Sequence, residues 1–408
     1  MSDMPQTAPA APQRRLSLPE FTAMLASLTA TVAFSIDAML PALPQIAADL
    51  SPQDVNRAQL VLTSFVLGMG LGTFFAGPVS DAIGRRRTLF LGIAIYIAGA
   101  LGALVSNSLE VLLIARFVQG FGSAGPRIVP MALVRDLYAG REMAKITSFI
   151  MMLFILVPAM APSVGGLIIG VTGWHGVFGA FVIFGLIGGI WVALRQPETL
   201  APERRRPLRL AALIAGAREV VSDRNVRLYT MVMALGFGQM FALLSSSQQL
   251  FAVYGVTESF PNWFALMAIL AGSGTVFNAR FVMRLGMRKI VKGAYIAQIA
   301  VSSVMLGLLV SGWLAGPGAF PLILIYAISV FAMAGLTFGN LNALAMQKMG
   351  HLAGMTASVV TALSTVGAVL IAAPVGLAFN GTALPIILAT LGCSVIAWGL
   401  MRRTDDLA

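Results

Sequence analysis

Charged side chains are scarce in this sequence. They make up 11% of its 408 residues, against about a quarter in an ordinary soluble domain. That scarcity excludes a soluble fold with a solvated surface. With 58% hydrophobic residues, the chain reads as a polytopic integral membrane protein with little soluble mass. Cysteine is nearly absent. Its one copy, Cys393, lies in an apolar run, which excludes a disulfide framework and a thiolate metal site. The two histidines, His175 and His351, are too few and too far apart for a metal cluster. No phosphate-binding P-loop is present, so ATP is not the expected driver, and neither metal nor cofactor is expected. No cleavable signal peptide is visible. Residues 1–20, rich in Pro, Ala and Gln and ending in "RRLSLPEF", read as a short disordered cytoplasmic tail.

What the sequence has in abundance is apolar length. Twelve runs of about 20 or more residues are long enough to cross roughly 30 Å of hydrocarbon as helices. They lie near 21–41, 58–79, 88–106, 110–134, 146–170, 175–195, 228–254, 260–282, 290–313, 319–343, 354–379 and 383–401. The one long polar gap, 196–227, is basic and punctuated by Pro, and it falls at the midpoint. It divides the chain into six-helix bundles at 21–195 and 228–401, with a C-terminal tail at 402–408. Within the gap, "LRLAALIAGAREVV" carries enough apolar residues for an amphipathic surface helix.

The net charge of +11 raises the prospect of a nucleic-acid partner, but the location of the charges explains it better. If both termini are cytoplasmic, 24 of the 27 Lys and Arg residues fall on the cytoplasmic side. Arg57 is alone on the other side, and Arg116 and Arg127 lie inside the fourth run.

The acids isolate one residue. Of the 16 Asp and Glu residues, all but Asp37 fall in tails, loops or helix ends. An ionisable group near the bilayer centre costs about 2.5–3.5 kcal/mol on insertion scales and normally faces a protein interior or a wet cavity. Asp37 is therefore the candidate site for a proton or substrate, with a buried acid that simply pairs with an Arg as the structural alternative. Depth places it roughly 6 Å from the outer end of its run, and Arg116 roughly 9 Å below the outer end of the fourth. Arg116 is thus the expected partner of Asp37. Arg127 lies on the same helix face but roughly 16 Å deeper, where it is expected to line the cytoplasmic half of a cavity or to act as a helix-gluing cation.

Several stretches resemble a known family. "GPVSDAIGRRRTL", Gly77 to Leu89, closely matches the loop 2–3 signature of the major facilitator superfamily, with Ala82 where the family usually has Arg. "RFVQGFGSAG", Arg116 to Gly125, matches its helix 4 signature. "VPAMAPSVGG", Val157 to Gly166, resembles the helix 5 antiporter signature, with Ala161 in place of a Gly. "SIDAMLPALPQIAADL" from Ser35 and "LVRDLYAGREMA" from Leu133 are similar to the bicyclomycin/chloramphenicol-resistance branch of the 12-helix drug:proton antiporters. A partial internal repeat agrees. "FVMRLGMRKI", Phe281 to Ile290, follows the eighth run as "VSDAIGRRRT" follows the second, with Met283 replacing Asp81.

The resemblance implies an all-α fold of twelve transmembrane helices in two pseudo-symmetric bundles, with the site between them at mid-membrane. It implies a conformational latch between the halves formed by Asp81, Arg85 and Asp136 together with Arg86, with topogenic charge alone as the alternative for Arg86, and with Gly77 and Gly84 allowing close helix approach. Pro158, Pro162, Gly165 and Gly166 would loosen the fifth span or let it pack closely, so both gating and structural roles stay open. A pocket for varied lipophilic drugs should be apolar, aromatic and Met-rich. Its candidate lining is Met151, Met152, Phe154, Phe237, Gln239, Met240, Phe241 and Phe338, with Asn340 and Asn342 adding hydrogen bonds.

The reading is a multi-pass transporter of the bacterial inner membrane, expected to act as a monomer. It would export lipophilic drugs in exchange for protons by alternating access. Asp37 would carry the proton and contact the drug, and Arg116 would tune its affinity. Two alternatives stand beside it. One is proton-coupled or anion-selective transport of a small metabolite, with Arg127 as the anion site. The other is a non-transport membrane scaffold. An enzyme is disfavoured, because the spans offer one acid and no clustered catalytic groups.

Overall fold

Three helices of this protein start at a side chain that caps them. The computed structural model describes residues 16–404 apart from Arg206, Lys348, Gly350 and His351. Ser17 caps α1 (Leu18–Asp37) by accepting a hydrogen bond from the Glu20 amide at 3.4 Å. The chain then makes a 3₁₀ turn and a short helix α2 (Leu43–Leu50), followed by α3 (Leu60–Ile83) and α4 (Arg85–Leu104). Ser108 caps α5 (Leu109–Leu137) through the Val111 amide at 3.3 Å. After α6 (Gly140–Arg195) come α7 (Leu210–Ser222) and α8 (Arg224–Val253), the latter capped by Asp223 on the Val226 amide at 2.9 Å. The remaining helices are α9 (Phe260–Leu285), α10 (Met287–Val310), α11 (Phe320–Gln347), α12 (Ala353–Leu377) and α13 (Leu384–Arg402). Of the expected N-terminal tail, residues 1–15 lie outside the described residues, and the chain is already helical from Leu18.

Ten of these stretches are long and apolar enough to cross a membrane. Two further features bring the spans to the expected twelve. α5 carries Glu110, Arg116, Arg127 and Arg135, charges that mask an otherwise apolar span. α6 contains two spans, because Gly173 takes φ 68° and ψ −176° and breaks the helix. The neighbours of α6 show that its arms run in opposite directions. Gly165 abuts Ala38, just beyond the end of α1. Trp174 donates to Asp49 of α2 at 2.8 Å. Arg195 then returns to Glu20 at the start of α1, at 2.6 and 2.8 Å.

The halves repeat one plan. In the first, α3 and α4 pack on α5, and α1 packs on α6. In the second, α9 and α10 pack on α11, and α8 packs on α12 and α13. The two largest contacts between halves, α3 with α12 and α6 with α9, exchange under the same pseudo-twofold. The repeated loop motif shows why the plan recurs. Gly84 between α3 and α4 has φ 104°, and Gly286 between α9 and α10 has φ 82°. Both turns need the left-handed backbone that glycine alone adopts without strain. α7, in the amphipathic stretch of the central segment, packs on α8 and α12.

The ends of the molecule differ. At the end holding the basic loops, each half has its own apolar cluster, around Phe21, Leu89 and Ile146 in the first and around Tyr229, Val291 and Met401 in the second. At the opposite end, one cluster joins both halves, with Met39, Leu43 and Ile46 beside Leu250, Phe251 and Phe260.

Candidate functional site

Asp37 is the last residue of α1 and is 6% exposed. Three neighbours in sequence or space define its surroundings. Two residues earlier, Ser35 places its hydroxyl 2.6 Å from the Tyr96 phenol of α4. One residue later, the Ala38 carbonyl lies directly against Gly165 of α6, where an added Cβ would overlap it. The chain then bends into the 3₁₀ turn that leads to α2. The acid thus sits at the end of α1, between its contacts with α4 and α6.

Arg116 corrects the sequence-based pairing. It is fully buried, yet no ion pair joins it to Asp37 among the described residues. Its guanidinium donates to the Ser35 carbonyl at 3.0 Å, the Val61 carbonyl at 3.3 Å and Gln119 Oε1 at 2.7 Å. The same group lies over the Phe65 ring, 4.3 Å from its centroid. The sequence arithmetic set the two at one depth, but the guanidinium of Arg116 spends its three nitrogens on backbone oxygens of α1 and α3 and on Gln119. Ser35, Tyr96, Phe65 and Gln119 were missed at the sequence level. Only Gln119, inside the helix 4 signature, carried a signal there.

Close packing at Gly165 gives the helix 5 signature a physical task. Replacing it with Ala would set a methyl against the Ala38 carbonyl, a backbone atom with little freedom to yield. Overpacking of this kind costs about 1–3 kcal/mol. Gly165→Ala is expected to lower the melting temperature in detergent and to cut transport sharply. Wild-type melting and transport in this variant would show that α1 and α6 need not approach so closely. Pro162 is buried beside it, Pro158 is half-buried, and Gly166 faces Pro261 of α9 across the interface between the halves.

The loop 2–3 residues do come together. Arg85 pairs with Asp81 and, at 2.9 Å, with Asp136. It also reaches Ser80 at 3.0 Å. Gly84 and Gly77 sit where the motif needs small residues, Gly84 against Glu198 and Gly77 beside Ser358 of α12. Two residues of the central segment, absent from the sequence-based set, complete the cluster. The Glu198 carboxylate accepts the backbone amides of Arg85 and Arg86 at 2.9 and 3.1 Å, which neutralises the start of α4. Thr199 donates to Asp136 at 2.9 Å. The Arg86 guanidinium turns to the Ala193 carbonyl. Apart from Ser358 beside Gly77, these partners all belong to the first half or the segment that leaves it. The cluster therefore binds α3, α4 and α5 to one another, where a latch between the two halves was expected.

The proposed pocket residues divide. Phe237, Phe241 and Phe338 form one aromatic group, with the Phe237 and Phe338 centroids 4.0 Å apart. Met240 packs at the edge of the apolar cluster shared by both halves, and Met152 is half-exposed. The side chains of Met151 and Phe154 lie outside the described residues. Gln239 is fully buried and accepts from Ser394 of α13 at 3.1 Å, so it faces its own bundle. Asn340 donates to Asn278 of α9 at 2.7 Å. Asn342 Oδ1 and Arg127 Nη1 are buried polar atoms without a hydrogen-bond partner. No group of three or more potential metal ligands occurs among the described residues.

Residues 25–372 match the family model of the Major Facilitator Superfamily. The chain belongs to this superfamily. Among curated relatives, this superfamily member is 34% identical over 273 residues to a bicyclomycin resistance protein homolog of Haemophilus influenzae, covering 65% of this chain and 67% of that one. It is 32% identical over 324 residues to a chloramphenicol resistance protein of Pseudomonas aeruginosa, covering 74% of each chain. Its fold is that of a peptide transporter solved in complex with sulfate, with a TM-score of 0.72 at 14% identity over 95% of this chain and 94% of that one. The protein is a multi-pass transporter of the inner membrane and not an enzyme.

Proposed function

We propose that this superfamily member exports lipophilic drugs, chloramphenicol- or bicyclomycin-like, in exchange for protons by alternating access. The basic end would face the cytoplasm, and one chain carries both halves of the site, so a monomer suffices. The observation that carries the proposal is Asp37: a buried acid in a span, at the junction of α1 with α6, that no cation neutralises among the described residues. A structural acid in hydrocarbon would be held by a partner. An acid that changes charge during a cycle is better left without one. The names of the two drug-resistance relatives support the substrate class. The separate apolar clusters at the basic end and the shared one opposite fit one arm of an alternating cycle.

Arg127 favours a second reading. Its buried, unpartnered Nη1 suits an anionic substrate. Both readings are tested in proteoliposomes that hold an imposed pH gradient. Drug export predicts that chloramphenicol collapses the gradient in the wild type. It also predicts that Arg127→Ala changes relative rates among drugs while proton movement persists. Anion transport predicts that chloramphenicol leaves the gradient intact, that small carboxylates collapse it, and that Arg127→Ala abolishes this response.

A further inference from the structure

The two halves are fastened at the end away from the basic loops by uncharged amides. Gln59, in the 3₁₀ turn before α3, is 2% exposed. Its Nε2 donates to Gln249 Oε1 of α8 at 2.5 Å, and its Oε1 accepts from Ser246 of α8 at 2.8 Å. In the same turn, Asn56 donates to the Leu377 and Phe379 carbonyls at the end of α12, at 3.1 and 2.7 Å. Gly376 makes room for this contact, since a Cβ there would overlap Gln59 Oε1. Four hydrogen bonds thus run from one turn of the first half to two helices of the second. The ion pairs Arg57–Glu110, Arg85–Asp81, Arg85–Asp136 and Arg195–Glu20 do not do this; each ties elements of the first half together.

We propose that Asn56 and Gln59, with Ser246, Gln249 and the end of α12, form an amide clasp that is the outer gate of the transporter. The inference rests on the alternating-access reading. Neutral hydrogen bonds suit a gate. Each is individually weak on balance, because water competes for the same groups, so the set closes firmly yet opens without separating buried charges. The clasp also connects to Asp37 by a short structured path. From the acid the chain passes through a 3₁₀ turn and α2 straight into the turn that holds Asn56 and Gln59. A cleft of about 310 Å³ lined by Pro44, Ala47, Gln59, Gln248 and Gln249 lets solvent reach the outer face of the clasp. Ala242, one helical turn inward from Ser246 on the same face of α8, is 1% exposed and lies behind it.

The test uses the full chain in intact cells, with Cys393→Ala to remove the native thiol and Ala242→Cys as reporter. A membrane-impermeant maleimide is added from outside. With the clasp intact, labelling should be slow. Gln59→Leu should raise its rate about tenfold, the population shift expected for roughly 1.4 kcal/mol lost from the closed state. Gln249→Ala, at a partly exposed position, should act in the same direction and guards against misfolding of the first variant. Chloramphenicol added to the clasp-intact reporter supplies the control. If it changes the labelling rate while neither substitution does, the clasp proposal falls and alternating access stands. If neither the substitutions nor chloramphenicol changes labelling, the alternating-access reading falls with it.

Discussion

Asp37→Asn is expected to abolish proton-coupled drug efflux while leaving a folded protein in the membrane. The substitution keeps the size of the side chain and removes its only titration. The wild type should bind drug with an affinity that varies with pH, by at most about tenfold per unit for one linked proton. If drug binds the ionised form better, protonation must weaken drug binding by the same factor. In the proposed cycle the acid loads a proton when the site is open to the outside. It loses that proton as drug arrives from the cytoplasm. Asparagine holds the site permanently in the neutral form, so drug affinity should become flat with pH and accumulation against a gradient should stop. Folding should survive, because Asp37 takes part in no ion pair among the described residues and its loss orphans no cation. Drug binding measured against pH for both proteins decides the matter. A wild-type affinity without pH dependence, or an Asp37→Asn variant that still pumps uphill, would remove Asp37 as the coupling site.

The second large effect concerns Arg116, which acts through position. Its guanidinium holds the carbonyl two residues before Asp37, the Val61 carbonyl of α3 and the Gln119 amide. Truncation to Ala removes three buried hydrogen bonds and strips the Ser35 carbonyl and Gln119 Oε1 of their donor, at about 1–3 kcal/mol each, while the Val61 carbonyl keeps its helical bond. It also forfeits the stacking on Phe65. Relief of a buried charge offsets part of this, but not all, since the charge is already well solvated by its acceptors. A loss of about 3 kcal/mol or more is expected, seen as poor expression and a lowered melting temperature in detergent. Arg116→Lys separates positioning from bulk charge. A lysine keeps the charge but not the planar fork, so it should restore part of the stability and little of the transport. It should also leave the pH dependence of drug binding in place, because the titrating group is elsewhere. A lysine variant with wild-type melting and transport would show that charge alone suffices. Loss of the pH dependence would return Arg116 to the proton site itself.

Much of this protein was legible without coordinates, and the reason is physical. Hydropathy and charge are properties of each residue's transfer from water, so the twelve spans, the basic end and the isolation of Asp37 follow from the order of residues alone. The loop 2–3 cluster was legible through the resemblance of its residues to the superfamily signature; spacing alone does not give it, since Gly84 breaks the helix between Asp81 and Arg85. Tertiary structure decided the partners. Depth along a helix is one coordinate, but contact also depends on rotation about the helix axis and on the crossing of neighbours. Arg116 therefore reached Ser35 and Val61 where depth pointed to Asp37. Gln239 turned to Ser394 of its own bundle. Glu198 and Thr199, far along the chain, completed a cluster that carried no trace of them in sequence. The clasp shows the same limit most plainly. Gln59 and Gln249 are 190 residues apart and unremarkable in composition, and only the packing of α3 against α8 and α12 makes them one contact.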